Sequence, residues 1–333
     1  MQDLLEREIV KNNVVFKNHY VVEKDHRAEI LNGLLQNQKT LNPKFFYDTY
    51  GSELFEKITE LPEYYLTRTE REILNKYAQD MAEHCGDNCI LIEPGSGSSE
   101  KVRLLLDAIK PKAYVPMDIA GEFLQRSANK LGEEFPWLDI HAVCADFSQY
   151  KEVPEGLPKG KPVIFYPGST LGNMTPEQAT RFLSTLRQWL ISDANNIGGA
   201  LIGVDLHKPS SILHAAYNDE EGITARFNLN ALDNVNQLHS ADFDTNNFEH
   251  QAFYNEEKKR IEMHLVSKTD HIVRFADTAV SFSKGETIHT ESSYKYTLCA
   301  FNELVNHAGF EITTSWLDDE CLFSVHYLSV VFK

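Results

Sequence analysis

The chain has 333 residues, enough to bury a sizeable core in two domains. Its 49 acidic against 32 basic residues give a formal charge of −17, which argues against non-specific nucleic-acid binding and against docking on an anionic membrane. No apolar run suits a signal peptide or spans a bilayer, and neither the five cysteines nor the thirteen scattered histidines show metal-ligand spacing, so a cytoplasmic protein with reduced thiols and no metal is expected.

From the start, residues 1–40 read as a helix-rich arm with apolar spacing over 27–35. Residues 43–52 then pack four aromatics, Phe45, Phe46, Tyr47 and Tyr50, beside a turn signal. Ser52 is placed to cap a helix from Glu53 carrying Leu54, Phe55 and Ile58, which stops before Pro62. Thr67 and Glu70 have the spacing of a capping box for a helix to about Glu83. Tyrosines such as Tyr64 and Tyr65 commonly pack with their hydroxyls toward water, but in a cleft they would orient a polar small molecule.

The next stretch organises the chain. A strand, Cys89-Ile90-Leu91-Ile92, runs into Glu93-Pro94-Gly95-Ser96-Gly97-Ser98-Ser99 and a helix with Val102, Leu105, Leu106 and Ile109 on one face. Strand, Gly-rich turn and helix open a nucleotide-binding α/β sheet, and Ser98 or Ser99 is placed to cap the helix. A second strand, 113–117, ends in Asp118, suited to the two hydroxyls of a ribose. A dinucleotide fingerprint would have a third glycine where Glu100 stands. An acid before the loop and a single Gly-x-Gly suit one nucleoside with cationic groups and no pyrophosphate, which points to S-adenosylmethionine. A turn chosen only for its tightness would show the same glycines.

Helix and strand then alternate: a helix over 121–135, a strand over 140–145 ending in Asp146-Phe147, and a strand over 163–166. Asp146 and Phe147 offer an acceptor for an exocyclic amine and a ring to stack on adenine. After 163–166 comes Pro167-Gly168-Ser169-Thr170-Leu171-Gly172-Asn173, a loop at the carboxyl end of a strand, where ligands of such sheets bind. Asn173 supplies a neutral amide able to accept from an amine and aim its lone pair; an ordinary Asn turn has the same composition. A helix over 176–191 and a strand over 200–206 follow, then about ninety residues of mixed character before a helix over 296–308 and strands over 310–317 and 323–332. That order predicts a seven-stranded, Rossmann-like sheet over 69–206 and 297–333, with 1–68 and 207–296 forming a second, α+β domain over its cleft. In the insertion, Ile261, Met263 and Leu265 share one strand face, as do Glu291 and Ser293 on another. Core packing explains the methionine equally well, and a solvated strand end the Glu–Ser pair.

Taken together, these stretches resemble the ergothioneine-pathway L-histidine Nα-methyltransferases, whose relatives act on other aromatic amino acids. The likeness is carried by Tyr47-Asp48 with Gly51-Ser52-x-Leu54-Phe55-Glu56, Leu61-Pro62-Glu63-Tyr64-Tyr65, Gly95-Ser96-Gly97-Ser98-Ser99-Glu100-Lys101 and Pro167-Gly168-Ser169 with Gly172-Asn173. It continues through Ala215-Ala216-Tyr217, Phe227-Asn228-Leu229-Asn230, Ile261-Glu262-Met263-His264-Leu265 and Glu291-x-Ser293-Tyr294-Lys295-Tyr296. Pro94 stands where the family pattern has Leu, and Ala120 where it has Ser.

The resemblance implies a class I S-adenosylmethionine-dependent methyltransferase fold and three successive methyl transfers to the α-amine of L-histidine, giving hercynine. It implies a substrate domain that holds histidine and its mono- and dimethyl forms. No nucleic-acid or membrane partner is expected from the charge, and a monomer is expected. By likeness, Gly95, Ser96, Gly97, Lys101, Asp118, Asp146 and Phe147 would bind the donor. Asn173 and Tyr217 would hold the backbone end of the amino acid, with Gly168 and Tyr47 near the amine. Tyr64, Glu291 and Ser293 would address the imidazole, and Phe55 and Met263 would wall the pocket. A sister enzyme acting on tryptophan and a non-catalytic donor-binding protein are the other readings; Glu291, Ser293 and Met263 argue against the first, and Asn173 with Tyr217 against the second.

Overall fold

The computed structural model describes residues 9–11, 13–19, 26–146, 156–191, 193–275 and 277–332. The chain divides into two compact units, one of Met1–Val21, Arg68–His207 and Tyr296–Lys333, the other of Val22–Thr67 and Lys208–Lys295.

The first unit is built on one nine-stranded sheet. Across it lie Ile9–Lys11, Val14–Asn18, Asp139–Cys144, Ala113–Asp118, Cys89–Pro94, Lys161–Tyr166, Gly199–Asp205, Phe323–Val330 and Phe310–Leu317. The strands from Val14–Asn18 to Gly199–Asp205 run parallel, and Phe323–Val330 inserts antiparallel beside Gly199–Asp205. The last seven strands in that order have the arrangement of class I methyltransferases, reversed strand included. Buried on both faces, the parallel strands read as apolar runs: every residue of Cys89–Pro94 and Gly199–Asp205 is buried. Leu91, Tyr114 and Ile140 from the sheet pack with Val102, Leu105 and Leu131 from its helices in one core.

The amino-terminal arm departs from expectation. Val14–Asn18 is a strand pairing in parallel with Ile140 to Cys144 and antiparallel with Ile9–Lys11, not part of a helical arm. Val14 and Phe16 alternate inward, and their burial beside the helix Gly121–Glu134 outweighs the charged flanks that hide the strand in the sequence. Three caps also differ. Asp48, not Ser52, caps Thr49–Glu60, its carboxylate accepting from Gly51 N–H at 2.7 Å. Thr67 and Glu70 lie inside Tyr65–Lys76, past its start, and a separate helix Ala78–Cys85 follows. Ser99 takes the N-cap position of Glu100–Ile109 at φ +57°, but makes no side-chain cap bond.

The second unit holds a four-stranded sheet ordered Lys39–Thr40, Thr287–Tyr294, Arg260–Ser267 and Phe248–Asn255, a separate hairpin of His271–Phe275 with Thr278–Phe282, and helices that include Arg27–Leu34, Ser210–Tyr217 and Ile223–His239. Ile223–His239 packs against both Thr49–Glu60 and the sheet. Its buried asparagines act as clamps. Asn230 Nδ2 donates to Asp48 Oδ1 at 2.8 Å, and Asn234 Nδ2 donates to the Phe45 carbonyl at 2.8 Å, fixing the turn that carries Tyr47.

Candidate active site

In the first unit the glycine turn sits at the carboxyl end of Cys89–Pro94. Gly95 and Ser96 both donate to the Met117 carbonyl, binding the turn to the neighbouring strand. Asp118, at the end of that strand, accepts from Gly97 N–H and Ala120 N–H, each at 3.0 Å. Those two bonds aim the carboxylate and leave it further lone pairs. Gly97 has φ +52°, and a Cβ there would meet nothing within 4 Å. The Ser96 hydroxyl beside it is buried with no protein partner. Open space above a glycine, an unpaired hydroxyl and an anchored acid fit a nucleoside ligand such as S-adenosylmethionine. Behind the turn, Glu93 is buried and pushed up to about 8 by desolvation, against the hydrogen bond it accepts from Tyr114. Tyr114 Oη also lies 3.0 Å from Ser99 Oγ and, with its hydrogen given to Glu93, accepts from the serine, which ties that hydroxyl to the strand.

A second carboxylate ties the donor side to the Asn173 loop. Glu70, 1% exposed, takes the Lys101 ammonium on Oε2 at 2.6 Å, and Gly168 N–H lies 2.9 Å from both its oxygens. Gly168 has φ +78°, and a Cβ on it would stand 3.0 Å from Lys101 Nζ. Ser169 Oγ accepts from Asp205 N–H at 2.9 Å, so the loop is held at two points. From there a turn over Thr170–Asn173 brings Asn173 to its half-buried place. Asp146 is half-buried just past Asp139–Cys144, whereas Phe147 lies outside the described residues.

The second unit gathers another set. Tyr47 meets Phe55 at 5.8 Å between ring centroids, Phe55 meets Tyr64 at 6.5 Å, and Tyr64 meets Tyr217 at 6.3 Å. Phe227 closes the group at 5.5 Å from Tyr47 and 5.9 Å from Phe55. Met263 and Glu291 are direct cross-strand partners, and Ile261 faces Ser293. A bulge follows at once: His264 pairs with His289, leaving Thr290 extra. Buried Thr290 donates to Asn228 Oδ1 at 2.7 Å, so the Phe227-Asn228-Leu229-Asn230 motif pins the strand just before Glu291. Tyr217 donates to Ser293 Oγ at 2.8 Å, which sets its hydroxyl beside that residue. Desolvation pushes Glu291 up to about 7, and Lys295 acts in the opposite direction.

One further cluster brings Glu262, His264 and His289 together, with ligand-type atoms all within 4.8 Å of one another. Its chemistry is that of an ion pair. Arg260 donates to Glu262 Oε1 through Nε at 2.9 Å and the terminal nitrogen at 2.7 Å, holding the carboxyl down at about 2 with help from His264. His264 stacks on His289 at 4.7 Å and 10°, and burial lowers both imidazole pKa values. Stacked rings send their lone pairs side by side, whereas metal ligands must converge.

The family described as histidine-specific, S-adenosylmethionine-dependent methyltransferases matches residues 26–330. This chain belongs to that family. The histidine N-alpha-methyltransferase of Mycolicibacterium smegmatis is 40% identical over 300 residues, which cover 88% of this chain and 91% of that protein. That of Mycobacterium tuberculosis is 38% identical over 312 residues, covering 91% and 95%. The ergothioneine biosynthesis protein 1 of Neurospora crassa is 30% identical over 291 residues, covering 81% of this chain and 31% of that longer protein.

In this methyltransferase the sequence points to Glu70 only as a capping residue and gives Lys295 no role of its own. Glu70 carried a misleading local signal, the Thr-x-x-Glu spacing. Lys295 stood inside a quoted motif, and its alternation with Ser293 and Glu291 was the signal that could have found it.

Proposed function

We propose that this methyltransferase moves three methyl groups, one at a time, to the α-amine of L-histidine, making hercynine as the first step of ergothioneine biosynthesis. One observation carries the substrate: Glu291 and Ser293, acceptor and hydroxyl, lie beside Met263 and Tyr217 in a single unit. An imidazole has two nitrogens for such a pair, whereas an indole has one and would leave a buried polar group unpaired at roughly 1–3 kcal/mol.

The roles then divide by chemistry. Gly95, Ser96, Gly97, Lys101, Asp118 and Asp146 hold the donor, which supplies an electrophilic methyl on a sulfonium when bound; Phe147 is assigned there by family likeness. Asn173 accepts from the amine and aims its lone pair without adding charge, and Gly168 and Tyr47 are assigned to the amine by family likeness. Tyr64, Glu291, Ser293 and Tyr217 orient the amino acid, and Phe55 and Met263 wall it. The partner is a small molecule, and the strongly acidic surface suits neither nucleic acid nor an anionic membrane. Among the described residues no helix is long and apolar enough to cross a membrane. A monomer working in the cytoplasm completes the reading.

The test is incubation with methyl-labelled S-adenosylmethionine and a mixture of the twenty amino acids. Label in histidine alone, ending in the trimethyl form, is expected. Label in tryptophan, or in no amino acid, overturns the proposal.

A further inference from the structure

Lys295 is 3% exposed, and its ammonium donates to Ser293 Oγ at 2.7 Å and to the Tyr217 hydroxyl at 3.2 Å. Tyr217 in turn donates to Ser293 Oγ at 2.8 Å, and Lys295 Nζ lies 5.1 Å from the centre of its ring. A serine hydroxyl has one hydrogen and two acceptor sites. Both acceptor sites of Ser293 are filled, by the lysine and the tyrosine, so its hydrogen is left to donate outward. An ammonium has no acceptor site, so Ser293 cannot turn round and give its hydrogen to Lys295. Two residues earlier, past the bulge, Glu291 projects from the same side of the strand. When ionised, that carboxylate only accepts. The strand therefore shows one donor and one acceptor side by side, complementary to a neutral imidazole, which has one N–H and one bare nitrogen. Indole and pyrrole offer an N–H but no bare nitrogen, and imidazolium offers two N–H groups.

We infer that Lys295 is a specificity-positioning residue: by donating to Ser293 and Tyr217 it commits the Ser293 hydroxyl to donate, and so selects neutral imidazole over rings that lack an acceptor nitrogen. This rests on the histidine reading above and adds to it the residue that sets hydrogen-bond polarity. Lys295 acts through Ser293 and touches no substrate atom in this account.

The test compares kcat/KM for histidine with that for the two pyrrolylalanine isomers, which keep a ring N–H and lack the second nitrogen. Wild type is expected to favour histidine a hundredfold or more. In Lys295→Met the serine can give its hydrogen to Tyr217 instead. The histidine KM should then rise tenfold or more while the pyrrolylalanine KM changes little, so that selectivity drops at least tenfold. Affinity for S-adenosylhomocysteine should stay at wild-type level, and Lys295→Arg, again a donor without an acceptor, should recover most of the selectivity. An unchanged histidine-to-pyrrole ratio in Lys295→Met, with both substrates weakened alike, reduces Lys295 to a packing role and overturns the inference. So does wild-type protein that methylates pyrrolylalanine within tenfold of histidine, a result that holds even if the variant fails to fold. Wild type that leaves histidine unmethylated overturns the functional reading itself, a distinct outcome.

Discussion

Two opposing influences set the charge on Glu291. Burial among side chains disfavours its carboxylate, the Lys295 ammonium favours it, and burial wins, leaving the group at about 7. Above that pH Glu291 is an anion able to accept from the imidazole N–H proposed for it, and as pH falls through it the acceptor is lost. The substrate ring, with an ordinary pKa of about 6.5, loses its neutral form over the same window. The histidine KM of the wild-type enzyme should therefore fall between pH 6 and pH 8, with contributions from both groups. Glu291→Gln removes one of them. Its KM profile should be shallower, following the substrate ring alone, and its kcat/KM for histidine at pH 8 should be about five- to a hundredfold down, matching roughly 1–3 kcal/mol for a lost charge-assisted bond. Affinity for S-adenosylhomocysteine, measured by calorimetry, should not change. A variant with wild-type kcat/KM at pH 8, or with donor affinity lost in equal measure, contradicts the role given to Glu291.

At the scale of elements, Glu70 shows how one carboxylate can register three segments. The helix Tyr65–Lys76 carries it, the helix Glu100–Ile109 supplies Lys101, and the loop after Lys161–Tyr166 supplies Gly168 N–H. Gly203 leaves the room it needs, since a Cβ there would come within 2.1 Å of Glu70 Oε1. Glu70→Gln nearly keeps the volume but turns an N–H2 toward either Lys101 or Gly168, placing donor against donor. Its kcat should fall tenfold or more, about 1.4 kcal/mol of barrier, with weaker S-adenosylhomocysteine binding and a histidine KM near wild type. Single-turnover rates and donor titration measure this; unchanged values for both would leave Glu70 a structural acid only. The same residue marks the limit of what the sequence tells. From Cys89 onward, apolar periodicity places the helices and parallel strands of the first unit within a few residues, because burial on both faces of a sheet writes long apolar runs. Caps were less legible. Ser52, Ser99 and the Thr67–Glu70 pair had suitable chemistry at suitable spacing, yet Asp48 caps one helix, Tyr114 holds Ser99, and Glu70 serves a loop distant in sequence. Hydrogen-bond capacity is local information, whereas the choice among partners is tertiary. Val14–Asn18 was hidden for a related reason: two inward side chains are too short a period to read, and its pairing strand lies far along the chain. The substrate roles proposed in the second unit rest on family likeness; spacing alone leaves Glu291, Ser293 and Met263 open to ordinary explanations.

For the molecule as a whole, the assigned donor residues belong to one unit and the ring-recognition residues to the other, so variants in each should separate donor affinity from amino-acid affinity. The end point of catalysis follows from the nitrogen. A free α-amine is mostly ammonium at neutral pH and must lose a proton before its lone pair can attack. No lysine or histidine of the assigned set is a strong base for that step, so the proton passes to water, and kcat/KM should climb with pH above neutrality until the amine is deprotonated. After the first and second transfers, loss of one more proton restores a lone pair. After the third, the nitrogen is quaternary and has none. Asn173 can accept an N–H from the primary and secondary amines as they attack, and from the tertiary one only while it is protonated, since the deprotonated tertiary amine keeps its lone pair but has no N–H. Mono- and dimethylhistidine should therefore both be substrates, and the trimethyl product alone should accumulate. Dimethylhistidine supplied with excess S-adenosylmethionine, followed by mass spectrometry, checks this directly. Conversion to hercynine is expected, at a rate within about tenfold of the first transfer if the ring contacts, which are the same in every round, dominate positioning. If dimethylhistidine persists while histidine is consumed, the amine site has a steric limit that the role given to Asn173 does not account for, and that assignment fails.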